Sequence, residues 1–178
     1  MVTNERIEIR EALPDDAAGI ARVRVQTWRD AYAGIVPDAH LASLDEERET
    51  RTMRTWLVEA PHPTFVLVAV NAGEVCGYAL GGRERGTNPD FDGELWAIYI
   101  LRPYQHQGIG RRLVKETATR LLAQGCRSMI VWVLAANPYR RFYECLGGEE
   151  VAGKEIDIGG TPLREVAYGW RDISAQLQ

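Results

Sequence analysis

The stretch Leu95-Trp96-Ala97-Ile98-Tyr99-Ile100-Leu101-Arg102-Pro103-Tyr104-Gln105-His106-Gln107-Gly108-Ile109-Gly110-Arg111-Arg112-Leu113 decides the fold. It reads as an apolar strand, a short turn, two glycines and the start of an amphipathic helix. Glycines at a strand-to-helix turn leave the first N–H groups of the helix uncovered. Those donors and the positive end of the helix dipole make an anion site suited to a phosphate or pyrophosphate. Two familiar phosphate loops do not fit. Arg111 and Arg112 follow Gly110, where a nucleoside triphosphatase loop needs Gly-Lys-Ser/Thr, and Leu113 stands where a dinucleotide fingerprint needs its third glycine.

A second signal lies downstream. Ser128–Val133 is a β-rich apolar run, followed by Asn137-Pro138 and then Tyr139-Arg140-Arg141-Phe142-Tyr143-Glu144-Cys145-Leu146-Gly147-Gly148. Asn137 is expected to cap a helix whose first position is Pro138, and Gly147 to end it. The pattern Gln105-x-x-Gly108-x-Gly110, with Phe142-Tyr143-Glu144-x-Leu146-Gly147 one strand later, resembles the GNAT superfamily of acyl-CoA-dependent N-acetyltransferases. Its specific motifs occupy residues 94–148, and its order of elements extends over essentially all 178 residues.

Composition sets outer bounds. A chain of 178 residues can bury roughly 70% of its unfolded surface as one domain. No apolar run approaches the roughly 20 residues of a membrane span, and Met1–Arg6 lack a signal-peptide core. Three cysteines without CxxC spacing (Cys76, Cys126, Cys145) fit a reducing cytoplasm, with a buried thiol expected at Cys145. A net charge of −4 argues against nucleic acid as a partner. His40, His62 and His106 are scattered and no cysteine lies at ligand spacing, so no metal site is expected.

Residues 6–10 alternate as a half-buried strand, 15–32 read as an amphipathic helix and 37–59 as one or two more. Strands over 64–70 and 75–80, the central strand over 94–101, a helix over 108–124, and strands over 128–133, 149–158 and 163–170 complete the order. Such an order is an α+β fold with a mixed, mostly antiparallel sheet flanked by helices, as in the resembled family. The apolar ends of the last two strands (Val166–Trp170) read as an edge, so a homodimer is expected.

The resemblance implies a single N-acetyltransferase domain over residues 1–178 that uses acetyl-CoA as acetyl donor. The implied cofactor contacts are the backbone at Ile98, Tyr99 and Ile100, the loop Gln105, His106, Gln107, Gly108, Ile109, Gly110, Arg111 and Arg112, and Asn137 on the pantetheine arm. Tyr143 is implied as the acid that protonates the leaving thiolate. Glu94, at the head of the central strand, is implied as the amine base; as a bare residue it also reads as an exposed strand-end carboxylate. Trp28, Tyr32 and Trp56 lie on helices that wall the acceptor pocket in this family. His106 stands where relatives often have Gly, and Gly148 where they often have an aromatic, which implies looser packing behind the acceptor site. Asn137 is one residue nearer to Tyr143 than in many relatives. Arg83 and Arg85 are open to acidic substrate groups or to solvent. The acceptor is a small-molecule amine or a peptide, attacked directly in a ternary complex; the alternative is an acyl-CoA-binding module without turnover. A bulky residue at Gly108 or Gly110 is expected to remove coenzyme A binding and spare the fold.

Overall fold

The computed structural model describes residues 7–59 and 63–177. The elements run β1 (Glu8–Glu11), a 3-10 turn (Pro14–Asp16), α1 (Ala17–Ala31), α2 (Asp38–Ala42), α3 (Glu46–Glu59), β2 (Phe65–Asn71), β3 (Glu74–Arg83) and β4 (Gly93–Ile100). A second 3-10 turn (Arg102–Tyr104), α4 (Ile109–Ala123), β5 (Met129–Leu134), α5 (Arg141–Cys145), β6 (Glu149–Ile158), β7 (Thr161–Trp170) and a 3-10 segment (Ile173–Leu177) follow. The seven described strands form one sheet in the order β1-β2-β3-β4-β5-β7-β6, in which only β4 and β5 run parallel. This is the α+β fold with a mostly antiparallel, helix-flanked sheet. Residue Arg6 of the expected first strand, and His62, lie outside the described residues. No described helix is long and apolar enough to cross a membrane.

Helices cover both faces, so β2 is a continuous apolar run without alternation. Phe65, Leu67 and Ala69 join Leu95, Leu113, Leu121 and Met129 under α4, while Val66, Val68 and Val70 join Ile20, Val23 and Tyr78 beneath α1.

The centre of the sheet is irregular. Across β3 and β4, Leu80 faces Ala97 and Gly81 faces Leu95, which leaves Trp96 as a bulge. The parallel ladder of β4 and β5 pairs Gly93 with Met129 and Glu94 with Ile130, and ends there. β5 meanwhile pairs with β7 along its whole length. Beyond Glu94 the two strands diverge, and Trp96–Ile100 have no strand neighbour on that side among the described residues.

Three sequence expectations are corrected here. Asn137 does not cap a helix at Pro138: its Oδ1 accepts the Tyr139 N–H at 2.8 Å, a tight turn follows, and α5 begins at Arg141. The apolar end of β7 is not an edge, because β7 lies between β5 and β6 and Val166–Trp170 are buried within the chain, so this surface gives no support to a homodimer. Gly148 does not loosen its surroundings. A Cβ there would lie 2.8 Å from the Trp170 ring and 3.0 Å from the Tyr143 carbonyl, and Trp170 Nε1 donates to the Leu146 carbonyl at 2.9 Å. An aromatic ring from β7 fills the space.

Gly148→Ala therefore overpacks a closed contact and is expected to cost about 1–3 kcal/mol. Urea denaturation checks this; unchanged stability would remove Trp170 from the role assigned to it.

Candidate active site

The divergence of β4 from β5 opens a cleft of about 530 Å³ between the start of α4, the end of α1 and α5. Leu101 N–H donates to the Cys76 carbonyl at 2.9 Å, so the odd positions at this end of β4 bond toward β3. Strand alternation then turns the N–H and C=O groups of Ile98 and Ile100 into the gap. Gln105 Nε2 donates to the Ile100 carbonyl at 3.0 Å, so a side chain replaces one missing strand bond.

At the head of α4, His106 and Gly108 both take left-handed backbone, with φ of 61° and 79°. Glycine adopts this freely; His106 holds it as an exposed side chain on the cleft wall. The first helical bond at this end runs from Arg112 N–H to the Gly108 carbonyl at 3.1 Å, so the N–H groups of Gly108–Arg111 stay uncovered. Arg111 lines the cleft beside Arg102 and Arg141, two cations that the sequence reading missed because they stand outside the glycine motif. The Arg112 side chain is committed elsewhere, donating to the Ile7 carbonyl at 2.9 Å. Ile109 is buried in the core and Gln107 Nε2 donates to the Pro103 carbonyl, so neither side chain lies on the wall.

Gly110 departs from its expected role. A Cβ there would meet the Phe142 ring at 3.0 Å and Ile100 at 3.3 Å, because α4, α5 and β4 touch at this point. A bulky residue would wedge them apart, so the fold would not be spared.

Tyr143 lies on the cleft wall, only 8% exposed and stacked on Tyr168 at 5.7 Å. Burial pushes its phenol far above the ordinary value, and ionisation of Tyr32 or Tyr99 would push the same way. It holds its proton at neutral pH. Asn137 also lines the cleft, with its Nδ2 donating to the Tyr32 hydroxyl at 3.0 Å. Trp28 is not on the wall; it stands behind, its Nε1 donating to the Tyr99 hydroxyl at 3.0 Å. Trp56 packs edge-on against Trp96, which does line the cleft.

Glu94 is fully buried rather than exposed, and does not line the cleft. Its carboxylate accepts from Arg85 Nε at 3.1 Å and from the Arg85 N–H at 3.2 Å. Arg85 also lies over the Trp96 ring at 4.9 Å, and Arg83 donates to the Gln124 carbonyl, so both arginines are engaged within the chain. Cys145 is corrected from the buried thiol expected to an exposed one that borders the cleft, whereas Cys76 and Cys126 are buried. Among the described residues no group of His, Cys, Asp and Glu could hold a metal.

A second carboxylate escaped the sequence reading. Glu165 of β7 sits opposite Leu134 and Lys154, its side chain 18% exposed and 3.8 Å from the Lys154 ammonium. Burial holds its carboxyl above the usual range, against the lowering effects of Lys154 and Arg85, and the negative charge of Glu94 adds to the rise. Its own charge reaches Tyr32 and Tyr99. The available signal was a lone acid at an inward position of Leu163-x-Glu165-x-Ala167.

A carboxyl whose pKa rises on folding penalises the fold only once it ionises. The penalty is absent below the unfolded pKa of about 4.3 and complete above the raised folded value. Glu165→Gln is thus expected to raise Tm at pH 7 and to lose that gain by pH 4. A gain independent of pH in thermal melts would contradict it.

Known proteins place this geometry. The chain is 39% identical over 170 residues to the uncharacterized N-acetyltransferase YuaI of Bacillus subtilis strain 168, covering 95% of each chain. Its fold matches YncA of Salmonella typhimurium, solved with acetyl-CoA, at a TM-score of 0.70 and 20% identity over 98% of this chain and 95% of that one. It also matches the PaiA N-acetyltransferase of Thermoplasma acidophilum, in complex with coenzyme A, at a TM-score of 0.68 and 20% identity over 90% and 97%. The sequence profile of the Acetyltransferase (GNAT) family fits residues 24–147, and the chain belongs to that family.

Proposed function

We propose that this protein transfers an acetyl group from acetyl-CoA to a primary amine of a small molecule or peptide, by direct attack in a ternary complex. The observation that carries the proposal is the gap between β4 and β5, beside an open helix N-terminus and a phenol that keeps its proton. The residues present fit acetyl-CoA. The uncovered N–H groups of Gly108–Arg111 and the cations Arg102, Arg111 and Arg141 suit its phosphates. Ile98 and Ile100 offer the pantetheine arm the strand bonds that β5 does not make.

Acetyl-CoA supplies an activated acetyl thioester. One N–H of the Ile98–Ile100 edge faces the gap as a donor for its carbonyl oxygen, where negative charge gathers during attack, and the other is left for the pantetheine arm. Tyr143 hands its proton to the leaving sulfur. An alkylamine of pKa about 10.4 is almost wholly protonated at pH 7, so its proton must leave first. In this reading Glu94, reached through water, takes it. The catalytic reading is separated from acyl-CoA binding without turnover by free-thiol release with a panel of amines.

Three outcomes are expected. Tyr143→Phe lowers kcat about 10- to 1000-fold with coenzyme A affinity retained, since only the transition state loses its donor; steady-state kinetics beside calorimetry checks this, and a wild-type kcat would refute the assignment. Glu94→Gln is most impaired at low pH, where the amine is least often neutral, and recovers as pH rises; a pH profile parallel to wild type removes Glu94 as base. Gly108→Val forces a branched residue to a φ of 79° with open space around it. It weakens coenzyme A binding more than it lowers Tm, whereas Gly110→Val loses Tm first. Equal melting losses in the two variants would count against this division of roles.

A further inference from the structure

Two tyrosines of the cleft carry an unspent hydrogen-bonding capacity. The hydroxyl oxygen of Tyr32 accepts Asn137 Nδ2–H, and that of Tyr99 accepts Trp28 Nε1–H, each at 3.0 Å. Neither nitrogen can accept in return: an amide –NH₂ and an indole N–H are donors only. Each phenol proton must therefore point away from its partner, and among the described residues no protein acceptor takes either one. Both residues line the cleft. Ionisation of either would act on Tyr143, which places the three phenols in one neighbourhood. Burial raises the pKa of both Tyr32 and Tyr99, so both remain O–H donors throughout the neutral range.

An attacking amine cannot satisfy these protons. Its nitrogen offers N–H groups and one lone pair, and that pair must reach the acyl carbon; an O–H aimed at it would block the reaction. In the acetyltransfer reading the thioester oxygen is already served by a backbone N–H of the open β4 edge. Once an acceptor displaces water from the cleft, these phenol protons need an oxygen that the acceptor itself brings. Glu165 lies on the same side of the sheet as the cleft-lining Trp132, at positions where β5 and β7 pair Trp132 with Ala167 and Leu134 with Glu165. Its charge reaches both phenols from behind the wall, so the corner that offers protons to an oxygen also lies in the field of a carboxylate.

We infer that Tyr32 and Tyr99 form a donor pair that recognises an oxygen on the acceptor, so that the amine taken by this site carries a carboxylate or carbonyl oxygen close to its nitrogen. The chemistry is shared by free α-amino acids and by peptide N-termini. This inference rests on the acetyltransfer reading and names its acceptor class. A buried donor left without a partner is costly, which makes such a site reject an otherwise identical amine that lacks the oxygen.

The test uses the full chain saturated with coenzyme A and matched ligands measured by calorimetry: phenylalanine, phenylalaninamide, the dipeptide Phe-Gly and phenethylamine, with the corresponding leucine series. The expected result is binding of the oxygen-bearing members about 10- to 100-fold tighter than the bare amine. The free acid against the dipeptide distinguishes the two sources of the oxygen. Tyr99→Phe and Tyr32→Phe should each bring that ratio toward one while coenzyme A affinity is kept, a readout that general loosening of the fold would not move. Coenzyme A binding without discrimination within any series, including no binding of any member, overturns the inference and leaves the acetyltransfer reading standing. A ratio unchanged in both variants also overturns it. Failure of coenzyme A itself to bind overturns both.

Discussion

The parallel ladder between β4 and β5 stops after Glu94 and Ile130, and the rest of the site depends on that interruption. Strand polar groups seldom remain unpaired, because each lost bond in a dry environment is expensive. Here the Trp96 bulge re-aims β4, while β7 occupies the far side of β5 along its whole length. The backbone of Ile98 and Ile100 is left facing a gap in the middle of the sheet. Gln105 answers one of these groups from the loop below, and the others have no strand neighbour on that side among the described residues.

The same gap determines how the helices are placed. Phe142 of α5 presses on Gly110 of α4 and lies near Ile100, which closes the space behind the start of α4. The helix N-terminus is therefore fixed relative to β4 by a packing contact, and its uncovered donors are aimed by it. The left-handed His106 and Gly108 make the turn that the short distance between strand end and helix requires. Backbone conformation and core packing thus meet within three residues, with Gly108 serving the first and Gly110 the close approach.

Electrostatically the cleft wall is mixed. Arg102, Arg111 and Arg141 line it, with Arg111 in the first turn of α4 where the helix dipole is positive. The neutral phenols Tyr32, Tyr99 and Tyr143 line it too, and Glu165 lies within electrostatic reach of the first two. Desolvation keeps the phenols protonated and holds Glu165 above its usual range, while Glu94 is tied to Arg85.

Much of this was legible in the chain. Apolar periodicity, the turn residues and the pair of motifs at Gln105–Gly110 and Phe142–Gly147 determine the order of elements, the fold class and the family, because these depend on local spacing. Tyr143 was legible for the same reason, its neighbours in sequence being its signature. The placement of Glu94, Glu165, Arg141 and the tyrosine hydroxyls was not. Each depends on register: which strand lies beside which, where a bulge shifts the alternation, and which N–H meets which oxygen. Register put β7 between β5 and β6 and covered an apolar run that reads as an edge. It buried an acid that reads as exposed, and brought Glu165 to within electrostatic reach of Tyr32 and Tyr99. Sequence alone determined the elements and their kind; contacts between residues far apart in the chain, which only the packed sheet creates, decided which side chains share the site.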